Sequence, residues 1–179
     1  MAMESQMVDL QSPMPAFELP DLTGATVTSR SFAGAPLLVA FMCNHCPYVK
    51  HIEAGFGELV RAHPDLPVVA ICSNDAQGYP EDAPAHLAEQ ARRAGWGFAY
   101  LVDESQDVGR AFRAACTPDF FLYDAGGRLA YRGAMDDSTP GNGQPVTGAL
   151  LEDAVTRVLA GQPVPEPHRP SMGCSIKWR

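Results

Sequence analysis

The run Leu37-Leu38-Val39-Ala40-Phe41-Met42 leads directly into Cys43-Asn44-His45-Cys46-Pro47. An unbroken apolar run of strand length predicts a strand covered on both faces, as in a parallel sheet. Val49, Ile52, Phe56, Leu59 and Val60 then recur at helical spacing, and Pro47 falls in the first turn, where proline is tolerated. A buried strand therefore ends, and a helix begins, at two cysteines spaced C-x-x-C. The N-terminus of a helix carries unbonded N–H groups and about half a positive charge. A thiol placed there is drawn toward its thiolate, the form that attacks disulfides and binds metals.

The other elements follow from the same signals. Phe17-Glu18-Leu19 and Ala25-Thr26-Val27-Thr28 flank Asp21-Leu22-Thr23-Gly24, which predicts a short hairpin. Leu66 to Cys72 and Phe98 to Val102 read as further buried strands. Helices are expected over 46–63, 85–94, from Asp103 or Ser105 to Ala115, and 149–159. Phe120 to Tyr123 and Arg128 to Arg132 around Asp124-Ala125-Gly126-Gly127 predict a second hairpin. Helical crossovers between strands, closed by a late hairpin, imply an α/β domain with a mixed sheet.

We expect residues 1–13 to be a flexible arm, 14–161 the folded domain, and 162–179, with four prolines, an extended tail packed on that domain. The formal net charge of −8 argues against nucleic acid or an anionic membrane as partner. No apolar run reaches the roughly 18 residues of a membrane span, and the first residues lack the basic and apolar regions of a signal peptide. A cytoplasmic location is expected. The five cysteines (Cys43, Cys46, Cys72, Cys116, Cys174) are odd in number and contain one close pair. A secreted disulfide scaffold would have a denser, even set, so the C-x-x-C reads as redox-active or metal-binding rather than structural.

Taken together, Cys43-Asn44-His45-Cys46-Pro47 between strand and helix and Cys116-Thr117-Pro118 before a strand hairpin resemble the thioredoxin fold. The N-terminal hairpin and the extra helix near 85–94 resemble its redoxin branch, which includes AhpC/TSA-type and ResA/TlpA-type proteins. More narrowly, Cys43 to His51, Ser73-Asn74-Asp75 and Gly173-Cys174-Ser175-Ile176-Lys177-Trp178 resemble a subgroup of bacterial thioredoxin-like proteins. The resemblance implies a thioredoxin-like domain with an N-terminal hairpin extension and thiol–disulfide oxidoreductase activity. It implies a protein or small-molecule disulfide as substrate, a thiol electron donor, and no cofactor or metal beyond a redox-active Cys43–Cys46 pair.

On that reading Cys43, at the strand–helix junction and expected to be the more exposed, is the nucleophile. It forms a mixed disulfide, which Cys46 resolves one helical turn on. His45 occupies the place of a histidine in the motifs of protein disulfide isomerase and DsbA; there it stabilises the Cys43 thiolate and makes the protein less reducing than thioredoxin. The resemblance makes Pro118 a cis-proline facing the cysteines, with the Thr117 backbone pairing with an extended substrate segment. Cys72 reads as structural. Cys116 and Cys174 are free apolar-like residues, a second disulfide, or a relay through Cys174, whose tail Ile176 and Trp178 would anchor. Among the carboxylates, Asp21, Glu18, Glu53 and Glu58 are candidates to take the Cys46 proton.

Two other chemistries compete. Pro36 and Cys43 match the Pro-x-x-x-Thr/Ser-x-x-Cys pattern of peroxiredoxins, but Ala40 stands at the hydroxyl position. Losing such a donor is expected to cost on the order of 10²–10³ in rate. Cys43, His45, Cys46 and Cys174 would suit Zn²⁺ or Cu⁺, although one close ligand pair falls short of the two usual in structural sites.

Overall fold

The computed structural model describes residues 1–179. In chain order the strands are β1 (Ala2–Glu4), β2 (Glu18–Pro20), β3 (Thr26–Thr28), β4 (Leu37–Phe41), β5 (Val68–Cys72), β6 (Ala99–Val102), β7 (Cys116–Thr117), β8 (Asp119–Tyr123), β9 (Leu129–Gly133) and β10 (Met172–Ser175). The α-helices are α1 (Pro47–Ala62), α2 (Pro84–Ala94), α3 (Asp107–Phe112) and α4 (Ala149–Leu159). The central sheet has the order β6-β5-β4-β8-β9. β4, β5 and β6 run parallel; β8 lies antiparallel to β4, and β9 to β8. This is the thioredoxin-like mixed sheet flanked by helices, and β2 and β3 form the added N-terminal hairpin.

The unbroken apolar run in β4 has the expected cause. Leu38, Ala40 and Met42 pack into one core with Val49, Ile52, Phe56, Leu87 and Leu151 of the helices. Leu37, Val39 and Phe41 face the opposite way, into a second core with Phe17, Leu19, Phe112 and Ile176. Each fully buried side chain of this size contributes about 1.5–3 kcal/mol, so the strand that ends at Cys43 is fixed from both sides. α1 begins one residue after Cys46, whose extended backbone makes it the N-cap, with Pro47 at the first helical position.

α3 is shorter than its sequence pattern suggests. Gln106 and Arg113 bracket it in left-handed conformations, and Asp103 caps it from five and six residues upstream by accepting from the Val108 and Gly109 N–H groups. Asp136 is buried rather than solvated, because its carboxylate accepts from the Ser138, Thr147 and Gly148 N–H groups and closes the long loop before α4.

The first residues are not a flexible arm, and the tail packs on the domain as a strand. β1 pairs with β10, and β10 pairs with β7, making a second, three-stranded sheet. Beyond β10 the tail is bonded at nearly every residue. The Ile176 N–H donates to Ala115 O, the Lys177 N–H to Asn74 Oδ1, and the Arg179 N–H to Gln106 Oε1. The Asp75 N–H and Gln106 Nε2 both donate to Lys177 O. Ile176 is buried, while Trp178 stays partly exposed under the Arg110 guanidinium, 4.4 Å from its ring centre. No helix is long and apolar enough to cross a membrane.

Candidate active site

β4 delivers Cys43 and α1 begins just after Cys46, so the two thiols share one strand–helix junction. The Thr117–Pro118 peptide is cis, as the resemblance implies. It brings Thr117 over both sulfurs: Thr117 Oγ1 lies 3.2 Å from Cys43 Sγ, and the Thr117 carbonyl lies 3.2 Å from Cys46 Sγ. Cys43, His45, Cys46, Thr117 and Pro118 thus belong to one site, although Thr117 is 71 residues from Cys46 in sequence.

Two expectations do not match the geometry. Cys43 is not the more exposed thiol, since both sulfur-bearing residues have 0% relative exposure. Nor is the Thr117 edge open to an extended substrate. β10 already pairs there, with Cys174 opposite Thr117 and Ser175 opposite Cys116. The physical reason is Gly173: a Cβ at this position would run into the Thr117 carbonyl, and without one the tail settles onto β7. A cleft of about 290 Å³ opens beside Pro118 and is lined by Tyr48, Met172 and Glu4 among others, but neither cysteine lines it.

The residue that sequence reasoning missed is Asp82. It is buried at the end of the short 3-10 turn Pro80–Asp82, between β5 and α2. Its Oδ1 accepts from the Asn44 and His45 N–H groups at 2.8 and 3.0 Å. Its Oδ2 accepts from His45 Nδ1 at 2.5 Å and from Asn74 Nδ2 at 2.9 Å. One carboxylate therefore ties down the whole turn between the cysteines, and Tyr79 stacks on the His45 ring from the same segment. Burial pushes the Asp82 carboxyl up, but the His45 and Asn74 hydrogen bonds and the His45 charge outweigh it and hold the group below the ordinary carboxylate range. The signal available in sequence was Asn74, part of the Ser73-Asn74-Asp75 motif, whose partners are Asp82 and the Lys177 N–H. Asp21, Glu18, Glu53 and Glu58 make no hydrogen bond to either site thiol; Asp21 closes its own hairpin turn, and Glu53 pairs with Arg93.

Asp82 also changes the electrostatics expected of His45. Cys43 Sγ, a His45 ring nitrogen and an Asp82 oxygen all lie within 4.8 Å of one another. The positive character of His45 is matched by an adjacent carboxylate, and Asp82 pushes Cys43 up rather than down. The hydrogen bond to Cys46 contributes most to raising Cys43, with burial next and Asp82 after it; the Thr117 hydroxyl opposes them. Cys46 goes the other way, to about 4, drawn down first by the Cys43 thiol and then, against burial, by hydrogen bonds from Cys174. The Thr117 carbonyl opposes that ionisation, since only a protonated Cys46 can donate to it. The two thiols thus move in opposite directions, Cys43 up and Cys46 down. Burial pushes Cys72 up to about 12 and Cys116 beyond any working pH, leaving both inert.

Cys43, His45 and Asp82 are also a donor set for a divalent cation. Both Asp82 oxygens are already saturated by four hydrogen bonds, and an ion would have to displace the bonds that shape the turn.

The chain is similar to two solved structures over nearly its whole length. One is an uncharacterized conserved protein from Geobacillus kaustophilus, at 43% identity and TM-score 0.96, covering 99% of this chain and 96% of the other. The second is a hypothetical protein from Sinorhizobium meliloti 1021, at 45% identity and TM-score 0.95, covering 98% of each. A secreted Mycobacterium tuberculosis disulfide oxidoreductase homologous to E. coli DsbE shares the fold at 17% identity and TM-score 0.63, over 78% of this chain and 94% of its own. No curated protein matches. The AhpC/TSA family model matches residues 10–132, which hold the strand–C-x-x-C–helix junction, Asp82 and the cis-proline loop; the chain belongs to the AhpC/TSA family.

Proposed function

We propose that the protein is a thiol–disulfide oxidoreductase that cycles its Cys43–Cys46 pair between dithiol and disulfide. The observation that carries this reading is that Thr117 lies 3.2 Å from both sulfurs, through Oγ1 to Cys43 and through its carbonyl to Cys46, at the start of α1. A substrate disulfide is attacked by the Cys43 thiolate. A Cys43–substrate bond forms, the substrate S–S bond breaks, and the leaving thiolate takes a proton from solvent. Cys46, as thiolate, then attacks the Cys43 sulfur, forming Cys43–Cys46 and releasing the second substrate thiol. A thiol donor reverses both steps to restore the dithiol. Attack needs Cys43 unburied and deprotonated. Displacing β10 from β7 would lift part of the burial that pushes Cys43 up and free the Thr117 edge for an extended substrate. We place this chemistry in the cytoplasm, on the sparse and odd cysteine set.

The test is trapping. In Cys46→Ser, reaction with a disulfide substrate leaves a stable mixed disulfide at Cys43, and Cys43→Ser exchanges with that substrate far more slowly than wild type. Wild-type exchange rates in Cys43→Ser overturn the reading.

A thiol peroxidase is the second reading. It is favoured by the Thr117 hydroxyl 3.2 Å from Cys43 Sγ, which supplies a donor that Ala40, buried in β4, cannot. Peroxide consumption at Cys43 with no disulfide-substrate turnover would reverse the order of the two.

A further inference from the structure

Two thiols suffice for the proposed cycle, yet a third packs against the same core. β10 lies antiparallel on β7, with Cys174 in register with Thr117, the residue that touches both site sulfurs. Cys174 packs against the core that holds Cys43 and Cys46, and its thiol and N–H draw the Cys46 thiol down. Its seat is built rather than incidental. Gly173 is the one residue type that fits against the Thr117 carbonyl, and residues 176–179 are bonded to Ala115, Asn74 and Gln106 on the far side. Cys43 and Cys46 are fully buried, whereas Cys174 is partly exposed.

We propose that Cys174 is a third redox cysteine and that Cys46 is the sulfur shared by two successive disulfides. This rests on the disulfide-exchange reading above. After substrate reduction the oxidised bond is Cys43–Cys46. The Cys174 thiolate attacks the Cys46 sulfur; a Cys46–Cys174 bond forms, the Cys43–Cys46 bond breaks, and Cys43 leaves as a thiolate that takes up the proton given up by Cys174. No electrons are gained or lost, so the step needs no further oxidant or reductant. It moves the disulfide from a fully buried pair to a partly exposed sulfur. A thiol reductant then attacks Cys174, forming a reductant–Cys174 bond while the Cys46–Cys174 bond breaks and Cys46 leaves as a thiol; a second reductant thiol attacks that bond, closes the reductant's disulfide and releases Cys174 reduced. The tail is thus an internal disulfide partner seated where an extended substrate would otherwise pair.

The experiment maps disulfides in Cys43→Ser after equilibration with oxidised glutathione, alkylation of remaining thiols and peptide mass analysis. A linked Cys46–Cys174 peptide is expected, with Cys72 and Cys116 recovered alkylated. Cys46 recovered only as a glutathione adduct, with Cys174 alkylated, overturns the proposal. Gly173→Ala in the same background leaves all the remaining cysteines in place but denies β10 its seat, and the linked peptide falls at least about tenfold. An undiminished yield, with a native circular dichroism spectrum, also overturns it. Wild-type protein run in parallel reports the Cys43–Cys46 disulfide. Its presence without a Cys46–Cys174 link in Cys43→Ser defeats the relay and leaves the oxidoreductase reading standing. Its absence defeats that reading instead.

Discussion

Replacing Asp82 by Asn tests how the turn between the cysteines is tuned. The perturbation removes one negative charge within 4.8 Å of Cys43 Sγ while keeping the side chain's shape. At an effective dielectric constant of about 20, a unit charge at that distance is worth about 3.5 kcal/mol to a neighbouring thiolate. Converted at 1.36 kcal/mol per pH unit, that is about 2.5 units in the Cys43 midpoint. His45 sits on the same carboxylate and offsets part of this, so we expect a fall of about one to two units. The measurement is thiolate absorbance at 240 nm against pH, in a Cys46→Ser background that removes the coupled thiol. Cys72 and Cys174, at about 12 and 11, stay largely silent below pH 10. A Cys43 midpoint that stays put or rises, in a folded protein, refutes the electrostatic argument; it would mean that Asp82 acts on Cys43 only through the hydrogen bonds that shape the turn.

Four further outcomes follow from the same geometry. His45→Ala leaves the Asp82 charge less compensated and shifts the Cys43 midpoint upward in the same assay, the opposite sign to Asp82→Asn. Because Asp82 is held below its ordinary range when folded, its contribution to stability is present above about pH 4 and is lost as pH falls through the folded value. Acid unfolding of Asp82→Asn should accordingly be less steep than that of wild type, while at neutral pH the lost charge-assisted bonds, about 1.5–3 kcal/mol each, lower its thermal midpoint by several degrees. Ile176→Ala, a truncation in the second core costing about 2–5 kcal/mol, should speed hydrogen exchange at the amides of residues 175–177 before those of β4 and β5. Gly173→Ala in the otherwise native chain should speed alkylation of Cys43 and Cys46 by neutral iodoacetamide, since both are covered in the closed arrangement.

The central sheet and the strand–helix junction that holds the two candidate thiols were legible because they are local. An apolar run in β4, a proline at the first position of α1, and Thr117-Pro118 before a hairpin each carry their signal within a few residues. Asp82 was not legible. Its role depends on a short 3-10 turn brought against the C-x-x-C from another part of the chain, and nothing near Pro80-Glu81-Asp82 marks it as buried. The second sheet escaped for a related reason. β1, β7 and β10 are two to four residues long and lack alternation, so their pairing is visible only once the tail has folded back. The tail's own clue was Gly173, a residue without a Cβ beside a cysteine. The expectation that Cys43 is exposed failed with it, because that expectation treated the end of α1 as an open surface.

The most direct test of the account is the redox state of the Cys43–Cys46 pair across glutathione buffers of graded potential, read by alkylation and peptide mapping. The account predicts a two-electron transition at these two residues. Cys43 and Cys46 recovered as free thiols across the whole range, in protein that remains folded, would contradict it.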